Sequence, residues 1–321
     1  SELSKDEVRQ VLEKEVFPNK ETPNGYPTNI PVFNLAYYPT EKGPYNYDVD
    51  PQPGFSAGID EFGNLLDPES RWGGIMREIE TSDFEATNVE YLEFWVMDPF
   101  ANNENSNGGD LYINLGDVSE DLLRDSRKGF ENGLPTSEFI ENVDTTIWGR
   151  VPSLQSLVDA FDNDPNARPF QDVGFDGLRD VDERSFFENQ YLDIISGRFG
   201  PSSPAFTNAL NDPSGDNYHY FRGTDYDNDA QYESILERYK RYNGPEGNSP
   251  ASQFSNEAYS TTGTTRPDVE DINRDNTLSE SERYFQYRIQ LHPDDMEVGQ
   301  GYITDMREGD GRLTKENGDP I

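Results

Sequence analysis

The sequence contains no cysteine and only two histidines among its 321 residues. The absence of thiols excludes disulfide bonds and thiolate chemistry, and two isolated imidazoles cannot form a zinc site without carboxylates. His219 lies in an aromatic stretch, where a packed and hydrogen-bonded histidine is the common case. No His-Glu-x-x-His or Gly-x-Ser-x-Gly motif is present. The sequence therefore predicts a protein that is not an enzyme.

Hydrophobic residues are also scarce, at 32% of the chain with a mean hydropathy of -0.90. No run is long and apolar enough to cross a bilayer as a helix, and the alternating runs are few and widely separated. Aromatic residues, at 12%, supply the material for a small core, so the chain is not expected to be disordered. Residues 1–4 carry no signal segment. We expect a polypeptide without a membrane span of its own, either a mature protein or an excised piece.

Basic residues are the third deficit, because 26 Lys and Arg face 63 Asp and Glu, which gives a formal charge of -37. Only 7 of the basic residues are lysines. Such a surface repels phosphates, so nucleic acid is excluded as a partner. A basic partner, a cation-rich medium or bound metal ions would each relieve the repulsion. Adaptation to high salt explains an acid-rich, lysine-poor surface equally well.

The apolar residues that are present predict a sheet. Residues 91–97 are apolar on both faces, which is typical of a central strand. Residues 111–115 and 284–291 alternate between apolar and polar, as half-exposed strands do. We expect 91–97 to pair with 111–115, and 284–291 to rejoin the sheet that contains 72–79 and 91–97. The predicted fold is α+β and mainly β, an antiparallel β-sandwich or jelly-roll-like sheet with a long helix- and loop-rich insertion.

This fold predicts four segments along the chain. The first begins with a helix over residues 4–17, because Ser4 and Glu7 have the spacing of a capping box. The predicted segments are an N-terminal helix with an extended wrapping stretch at 1–53, the first β part of the sandwich at 54–118, a helical insertion with acidic loops at 119–282, and returning strands of a truncated sheet at 283–321.

The strongest chemical signal is a twelve-residue stretch, 271–282, with the ligand spacing of a calcium loop. Calcium takes six to eight oxygen ligands, and this spacing curls the chain around one point to supply them. The sixth position is normally glycine; here it is Asn276, whose side chain tolerates a left-handed backbone. The alternative is an acidic turn that binds nothing. The predicted ligands are Asp271, Asn273 and Asp275, the carbonyl of Thr277, Ser279 through its hydroxyl or a water, and a bidentate Glu282.

A second stretch, 172–183, has related spacing, with Gly177 at the sixth position but Gly174, which offers no side-chain ligand, at the third. Metal binding and a simple acidic loop are both open here. A third stretch, 225–229, has the early acids but Leu236 at position twelve, so we interpret it as the cap of the next helix. The predicted cofactor is calcium. The predicted ligands of the second stretch are Asp172, Asp176, the carbonyl of Leu178, Asp180 and Glu183.

Ten segments, in order and spread over nearly everything after Gly43, resemble the SprA (Sov) family. Their length and order make this resemblance more specific than any short motif. The segments are GPYN at 43–46, WGGIMR at 72–77, DFE at 83–85, YLEFWVMDPF at 91–100, FENGLP at 130–135, WGRVP at 148–152, QDVGFDGL at 171–178, GDNYHYFR at 215–222, GPEGNSP at 244–250 and EDINRDNTL at 270–278.

That family forms the very large outer-membrane β-barrel of the type IX secretion system, which carries folded cargo to the cell surface and supports gliding motility. The resemblance implies an extramembrane or lumenal segment of such a translocon, located at the outer membrane or cell surface. Its partners would be the remainder of the barrel protein, other secretion components and cargo proteins. The family supplies no catalytic residues to transfer, and the calcium ligands rest on spacing alone.

A function from another class stays open on the residues. A carbohydrate-binding β-sandwich module or a glycoside hydrolase would also combine strands carrying Trp72 and Trp95 with acidic loops. Aromatic side chains exposed along a groove would favour this alternative, whereas buried ones would favour a structural module.

Overall fold

The structure, a computed structural model, divides into two units. The first comprises Ser1–Leu35, Ile79–Val118 and Ser281–Ile321, and the second comprises Ala36–Glu78 and Ser119–Glu280. The residues that the structure describes are 8–21, 26, 28–81, 83–100, 105–123, 126–127, 139, 141–153, 170, 176–217, 219, 221, 223–227, 234–241, 270–275 and 277–307.

Secondary structure is sparse, as expected for a chain with few apolar residues. The strands are β1 (Val11–Leu12), β2 (Asn29–Ile30), β3 (Gly109–Asp117), β4 (Val143–Thr145), β5 (Arg150–Pro152) and β6 (Arg283–Leu291). The α-helices are α1 (Glu13–Val16), α2 (Asp180–Phe186), α3 (Asp193–Phe199), α4 (Pro204–Asn211) and α5 (Ile235–Lys240). A π-helical turn spans Glu188–Leu192, and 3-10 turns span Pro68–Ser70, Thr224–Asp227 and Pro293–Asp295.

The dominant element of the first unit is the pair β3–β6, which is antiparallel over nine residues of each strand. Leu111 lies opposite Ile289, so apolar side chains meet across the strands on one face. On the other face, Arg288 forms a 2.9 Å ion pair with Asp110. Both strands were predicted from their alternation, and this prediction is confirmed. Their pairing with each other was not predicted.

The predicted central strand at 91–97 is wrong. These residues have no regular structure, and their exposed fractions run from 38% at Met97 to 85% at Tyr91. The predicted strand at 72–79 is likewise irregular, and Trp72 is largely exposed. An apolar run shows that a segment can be buried, but burial needs a partner surface, and β propensity depends on that context.

The predicted N-terminal helix is also wrong over most of its described part. Residues 1–7 lie outside the described residues, and β1 pairs antiparallel with β2 instead of continuing a helix. Only α1, four residues long, is helical. The β-branched Val11 favours the extended conformation once a second strand is available.

The second unit is built on a nearly continuous helical run from α2 through the π-helical turn to α3. Gly200, with φ of 94°, follows it as its C-cap. The run presents one apolar stripe to segment 36–78 and to α4. The resulting core contains Val49, Ile59, Leu65, Leu178, Phe187, Tyr191, Leu192, Ile195, Ala205 and Ala209.

The observed architecture is thus a mixed fold of helices and small antiparallel sheets. In the described residues the sheets are three two-stranded pairs, β1–β2, β3–β6 and β4–β5, and no sandwich or jelly roll is assembled from them. Among the helices of the described residues, none has the length and apolar character needed to cross a membrane.

Candidate metal centre

Three buried carboxylates from separate parts of the second unit converge on one point. Asp176 precedes α2, Glu183 lies within α2, and Asp216 follows α4. One carboxylate oxygen of each lies within 4.8 Å of the others. Their exposed fractions are 2%, 1% and 3%, respectively. Within the described part of the chain, this is the one such group of acidic, histidine or cysteine side chains close enough to share an ion.

Asp176 is positioned by close contact with β5. Its carbonyl accepts the amide of Arg150 at 2.7 Å, and its Oδ1 accepts the amide of Leu178 at 2.8 Å. Gly149 and Gly177 permit this approach: a Cβ on Gly149 would lie 2.0 Å from the carbonyl oxygen of Asp176, and one on Gly177 would lie 2.3 Å from that of Arg150. Both glycines have positive φ, so they meet a steric and a conformational requirement together.

Asp216 is positioned by a tight turn after α4. Asp212 Oδ1 accepts the amides of Gly215 at 2.8 Å and of Asp216 at 3.2 Å. The hydroxyl of Ser214 donates its single proton to Oδ1 of Asp216 at 2.6 Å. The turn therefore fixes the direction of the Asp216 carboxylate before any ion is considered.

Glu183 is the least satisfied member of the group. Neither of its carboxylate oxygens, nor Oδ2 of Asp176, has a hydrogen-bond partner. The Ser214 hydroxyl cannot supply Glu183, because its proton is directed at Asp216. A buried acceptor left unpaired costs about 1–3 kcal/mol, and more when it is charged. Three such oxygens at one point indicate that the folded chain leaves a place for a cation or for protons.

The electrostatics reflect this crowding. Burial, followed by the charges of Asp216 and neighbouring carboxylates, raises the pKa of Asp176 and the pKa of Glu183 well above the usual range of a carboxylic acid. Burial lowers the pKa of Lys42 to about 8, although the carboxylates of Asp216, Asp212, Glu183 and Asp176 act in the opposite direction. The group is therefore unstable as three bare anions.

Lys42 and Tyr47 form the side of the site contributed by segment 36–78. Lys42 Nζ donates to the carbonyl of Ser214 at 2.6 Å and lies 4.7 Å from the centre of the Tyr47 ring. Tyr47 stacks on Phe187 at 4.4 Å, and its hydroxyl has no hydrogen-bond partner. Burial, and then the surrounding carboxylates, raise the pKa of Tyr47. One ammonium thus offsets part of the negative charge.

These observations bear on the predicted loop at 172–183. The structure brings two of its residues together, Asp176 and Glu183, and buries the side chain of Leu178. Asp172 lies outside the described residues, and Asp180 is exposed in the first turn of α2. The sequence analysis missed Asp216, which no loop spacing links to the other two. Its segment was singled out only through the family resemblance.

The predicted loop at 271–282 is curled by its own side chains. Oδ1 of Asp271 and Oδ1 of Asn273 both accept the amide of Asp275, at 3.0 and 2.9 Å. Oδ1 of Asp275 accepts the amide and the hydroxyl of Thr277, and these bonds hold the pKa of Asp275 below its usual value. Asn276 lies outside the described residues. The structure therefore links the first three predicted ligands to one another.

An acid that the sequence analysis missed completes this loop. Glu120, almost fully buried, accepts the amides of Ile272 and Asn273 through Oε1, and that of Ser279 through Oε2. Its own amide donates to the carbonyl of Ser279 at 2.7 Å. Glu282, predicted as the bidentate ligand, is exposed just before β6. No sequence signal connects Glu120 with a loop 150 residues later.

The third acidic stretch is described only at Asp225, Tyr226 and Asp227, and these residues do not cap α5; Asn228 and Asp229 lie outside the described residues. Helix α5 begins after Ser234, whose hydroxyl accepts the amide of Glu237. Oδ2 of Asp225 instead forms a 2.8 Å hydrogen bond with Nε2 of His219. The prediction that His219 is a packed, hydrogen-bonded histidine is confirmed, because its ring also lies 4.1 Å from that of Tyr226.

Residues 190–319 match the SprA_N family, which is described as a motility related/secretion protein. The resemblance to the SprA family is confirmed. The SprA_N match includes Asp216, the loop at 271–282 and strand β6, whereas Asp176 and Glu183 precede it. No curated protein matches the chain. At a coarse level, the match points to a relation with motility and secretion proteins.

Proposed function

We propose that this chain is a non-enzymatic structural module of the outer-membrane export channel of the type IX secretion system, in an extramembrane or lumenal position. It supports cargo secretion and gliding motility, and it contacts the remainder of the barrel protein, other secretion components and cargo. The observation that carries this proposal is the SprA_N match over residues 190–319. The buried position of the carboxylates supports a structural role, since a substrate cannot reach them in this conformation.

The exposed run at 91–97 supports a role inside a larger assembly. Contiguous exposed apolar surface marks protein–protein contacts. Leu92 and Phe94 are exposed in a chain that is otherwise strongly acidic. We propose that the remainder of the barrel protein covers this run in the assembled channel.

A cell-based experiment tests this role. Phe94→Asp, introduced into the whole protein in a bacterium that uses this system, is expected to reduce surface display of cargo and colony spreading at least tenfold. The matched control is Glu93→Gln, which changes an exposed neighbour without adding a charge to the apolar run. Normal export and gliding by Phe94→Asp, with the protein at its normal level in the outer membrane, would contradict the proposal.

We also propose that calcium stiffens the module, with the loop at 271–279 as one binding place. The linked side chains of Asp271, Asn273 and Asp275 support it. Calorimetry of the chain with calcium and with chelator is the test. Asp275→Ala should reduce the calcium-dependent rise in melting temperature, whereas Asp193→Ala, at an exposed helix position, should not. An identical rise in both variants would remove this loop from the proposal.

A carbohydrate-binding function is the second candidate, and one observation favours it. A cleft of about 960 Å³ in the second unit is lined by Tyr37, Tyr38 and Trp72 together with amide and charged side chains. Trp72 is 85% exposed there, as a ring that stacks on sugars would be. Gly73 lies against the Tyr37 ring, where a Cβ would be 3.0 Å from the nearest ring carbon.

Glycan binding by this cleft predicts a loss of affinity in Trp72→Ala on a glycan array. Phe55→Ala is the control, because Phe55 is 90% exposed and does not line the cleft. Absence of any bound glycan, or equal binding by the two variants, would reject this second function and leave the structural module.

A further inference from the structure

We propose that Asp176, Glu183 and Asp216 bind one hard divalent cation, calcium before magnesium, at a site formed by tertiary contacts and not by a continuous loop. This inference deepens the calcium part of the proposed function and is independent of the secretion role. It rests on the convergence of three side chains, on the buried unpaired oxygens and on the charge balance at that point.

The unpaired oxygens indicate where an ion would lie. Oδ2 of Asp176 and both carboxylate oxygens of Glu183 are buried without a donor. Their neighbours in the structure occupy the other positions: Oδ1 of Asp176 accepts from Leu178 and Oδ1 of Asp216 from Ser214. One oxygen of each of the three side chains lies within 4.8 Å of the others, which is the arrangement that a shared cation needs.

The burial of the site favours calcium. One carboxylate oxygen of each side chain lies within 4.8 Å of the other two, close enough for one ion to contact all three. Magnesium gives up its water reluctantly and usually keeps several water ligands, whereas calcium accepts a set of protein oxygens, and the three carboxylates are at most 3% exposed. All three ligands are carboxylates, so the donor set is hard and suits calcium or magnesium better than zinc or copper.

The charges favour a divalent ion. Three ionised carboxylates carry -3, and the ammonium of Lys42 adds +1, which leaves -2 in a region with almost no exposure to water. Asp180, Asp212 and Arg184 lie around this group, and Tyr47 and Tyr191 cover it from the apolar side. A divalent cation brings the charge of the central group to zero without moving Lys42 from the carbonyl of Ser214.

Direct titration of the full chain tests the site. Isothermal titration with calcium chloride should show a site that Glu183→Gln weakens at least tenfold and that Asp216→Asn weakens similarly. Asp193→Asn is the matched control, since it removes one carboxylate from an exposed position on the same helical run. Asp275→Asn separates this site from the loop at 271–279. Magnesium chloride should bind more weakly than calcium chloride.

Terbium luminescence provides a measurement that does not depend on an acidic variant folding. Terbium bound here should be sensitised by Tyr47, whose ring contacts Phe187 and Tyr191 beside the carboxylates. Tyr47→Phe combined with Tyr191→Phe should keep calcium affinity and lose most of that emission, and calcium should displace terbium from the wild-type chain. Unchanged emission in that double variant, or calcium binding with undiminished affinity and stoichiometry in Glu183→Gln combined with Asp216→Asn, would overturn the inference. The secretion role is tested in cells and the metal site is tested on the purified chain, so failure of one proposal is distinguishable from failure of the other.

Discussion

The ammonium of Lys42 donates a 2.6 Å hydrogen bond to the carbonyl of Ser214, two residues before Asp216. This bond joins segment 36–78 to the turn after α4, and it places a positive charge beside the three buried carboxylates. The same lysine therefore stabilises the carboxylates when no cation is bound and repels a cation that binds there.

Lys42→Met is expected to separate these two effects. Methionine keeps most of the side-chain length but removes the charge and the donor. With chelator present, the free energy of unfolding should fall by about 1–3 kcal/mol, because a buried hydrogen bond to a charged group is lost. Calcium affinity should rise severalfold, since a like charge near the ion is gone. Urea unfolding measures the change in stability, and calcium titration measures the change in affinity.

The control for this variant is Lys20→Met, because Lys20 is exposed and pairs with Glu13 in the first unit. Exposed ion pairs contribute little, so neither stability nor calcium affinity should change beyond about 0.5 kcal/mol. Weaker calcium binding in Lys42→Met would show that the ammonium organises the site and does not oppose the ion.

Glu183→Gln should change the sign of its effect with calcium. In chelator, folding must either protonate Glu183, because burial raises its pKa, or bury its charge, whereas glutamine is neutral in the folded and the unfolded chain. The variant should therefore be more stable than the wild type by about 1–3 kcal/mol at neutral pH. With saturating calcium it should become less stable than the wild type, because the wild type gains the binding free energy and the variant does not. Two melting curves per protein decide this, and a variant that is less stable in both conditions contradicts it.

Local periodicity was enough to predict the longest elements of the fold. The alternation over residues 111–115 and 284–291 predicted β3 and β6, because a half-exposed strand shows its period within its own segment. Pairing is different. β3 and β6 are separated by more than 160 residues, and the sequence of neither strand predicts that the other is its partner. The prediction at 91–97 was wrong for the same reason, because an apolar pattern indicates that a segment can be buried but does not indicate which surface buries it.

The residues of the candidate metal centre likewise separate into those that sequence spacing predicts and those that it does not. Asp176 and Glu183 were found because they lie seven residues apart in a stretch with loop-like spacing. Asp216 and Lys42 reach the centre through the packing of α4 and segment 36–78, which sequence spacing does not encode. Glu120 illustrates the same limit at the loop beginning at Asp271, since it contacts that loop from the opposite end of the insertion.

Glu120→Gln should loosen that loop selectively. The carboxylate accepts three backbone amides, and an amide side chain can replace only one of its two acceptor oxygens. Hydrogen exchange at the amide of Ser279 should accelerate at least tenfold, which corresponds to about 1.4 kcal/mol of local stability. Glu282→Gln, at an exposed position, should leave that rate unchanged. Equal protection in the two variants would mean that Glu120 does not hold the loop.

Gly149→Ala should disrupt the metal centre from a position that carries no ligand. The added methyl group would lie 2.0 Å from the carbonyl of Asp176, and the backbone there has a φ of 149°. We expect a loss of more than about 2 kcal/mol in unfolding free energy and a fall in calcium affinity, because Asp176 must move. Gly197→Ala is the matched control: Gly197 lies in α3, nothing lies within 4 Å of its added Cβ, and alanine should stabilise the helix by about 0.5–1 kcal/mol. Calcium titration and urea unfolding of both variants measure the contrast, and equal behaviour of the two would show that the approach of β5 to Asp176 does not set the geometry of the site.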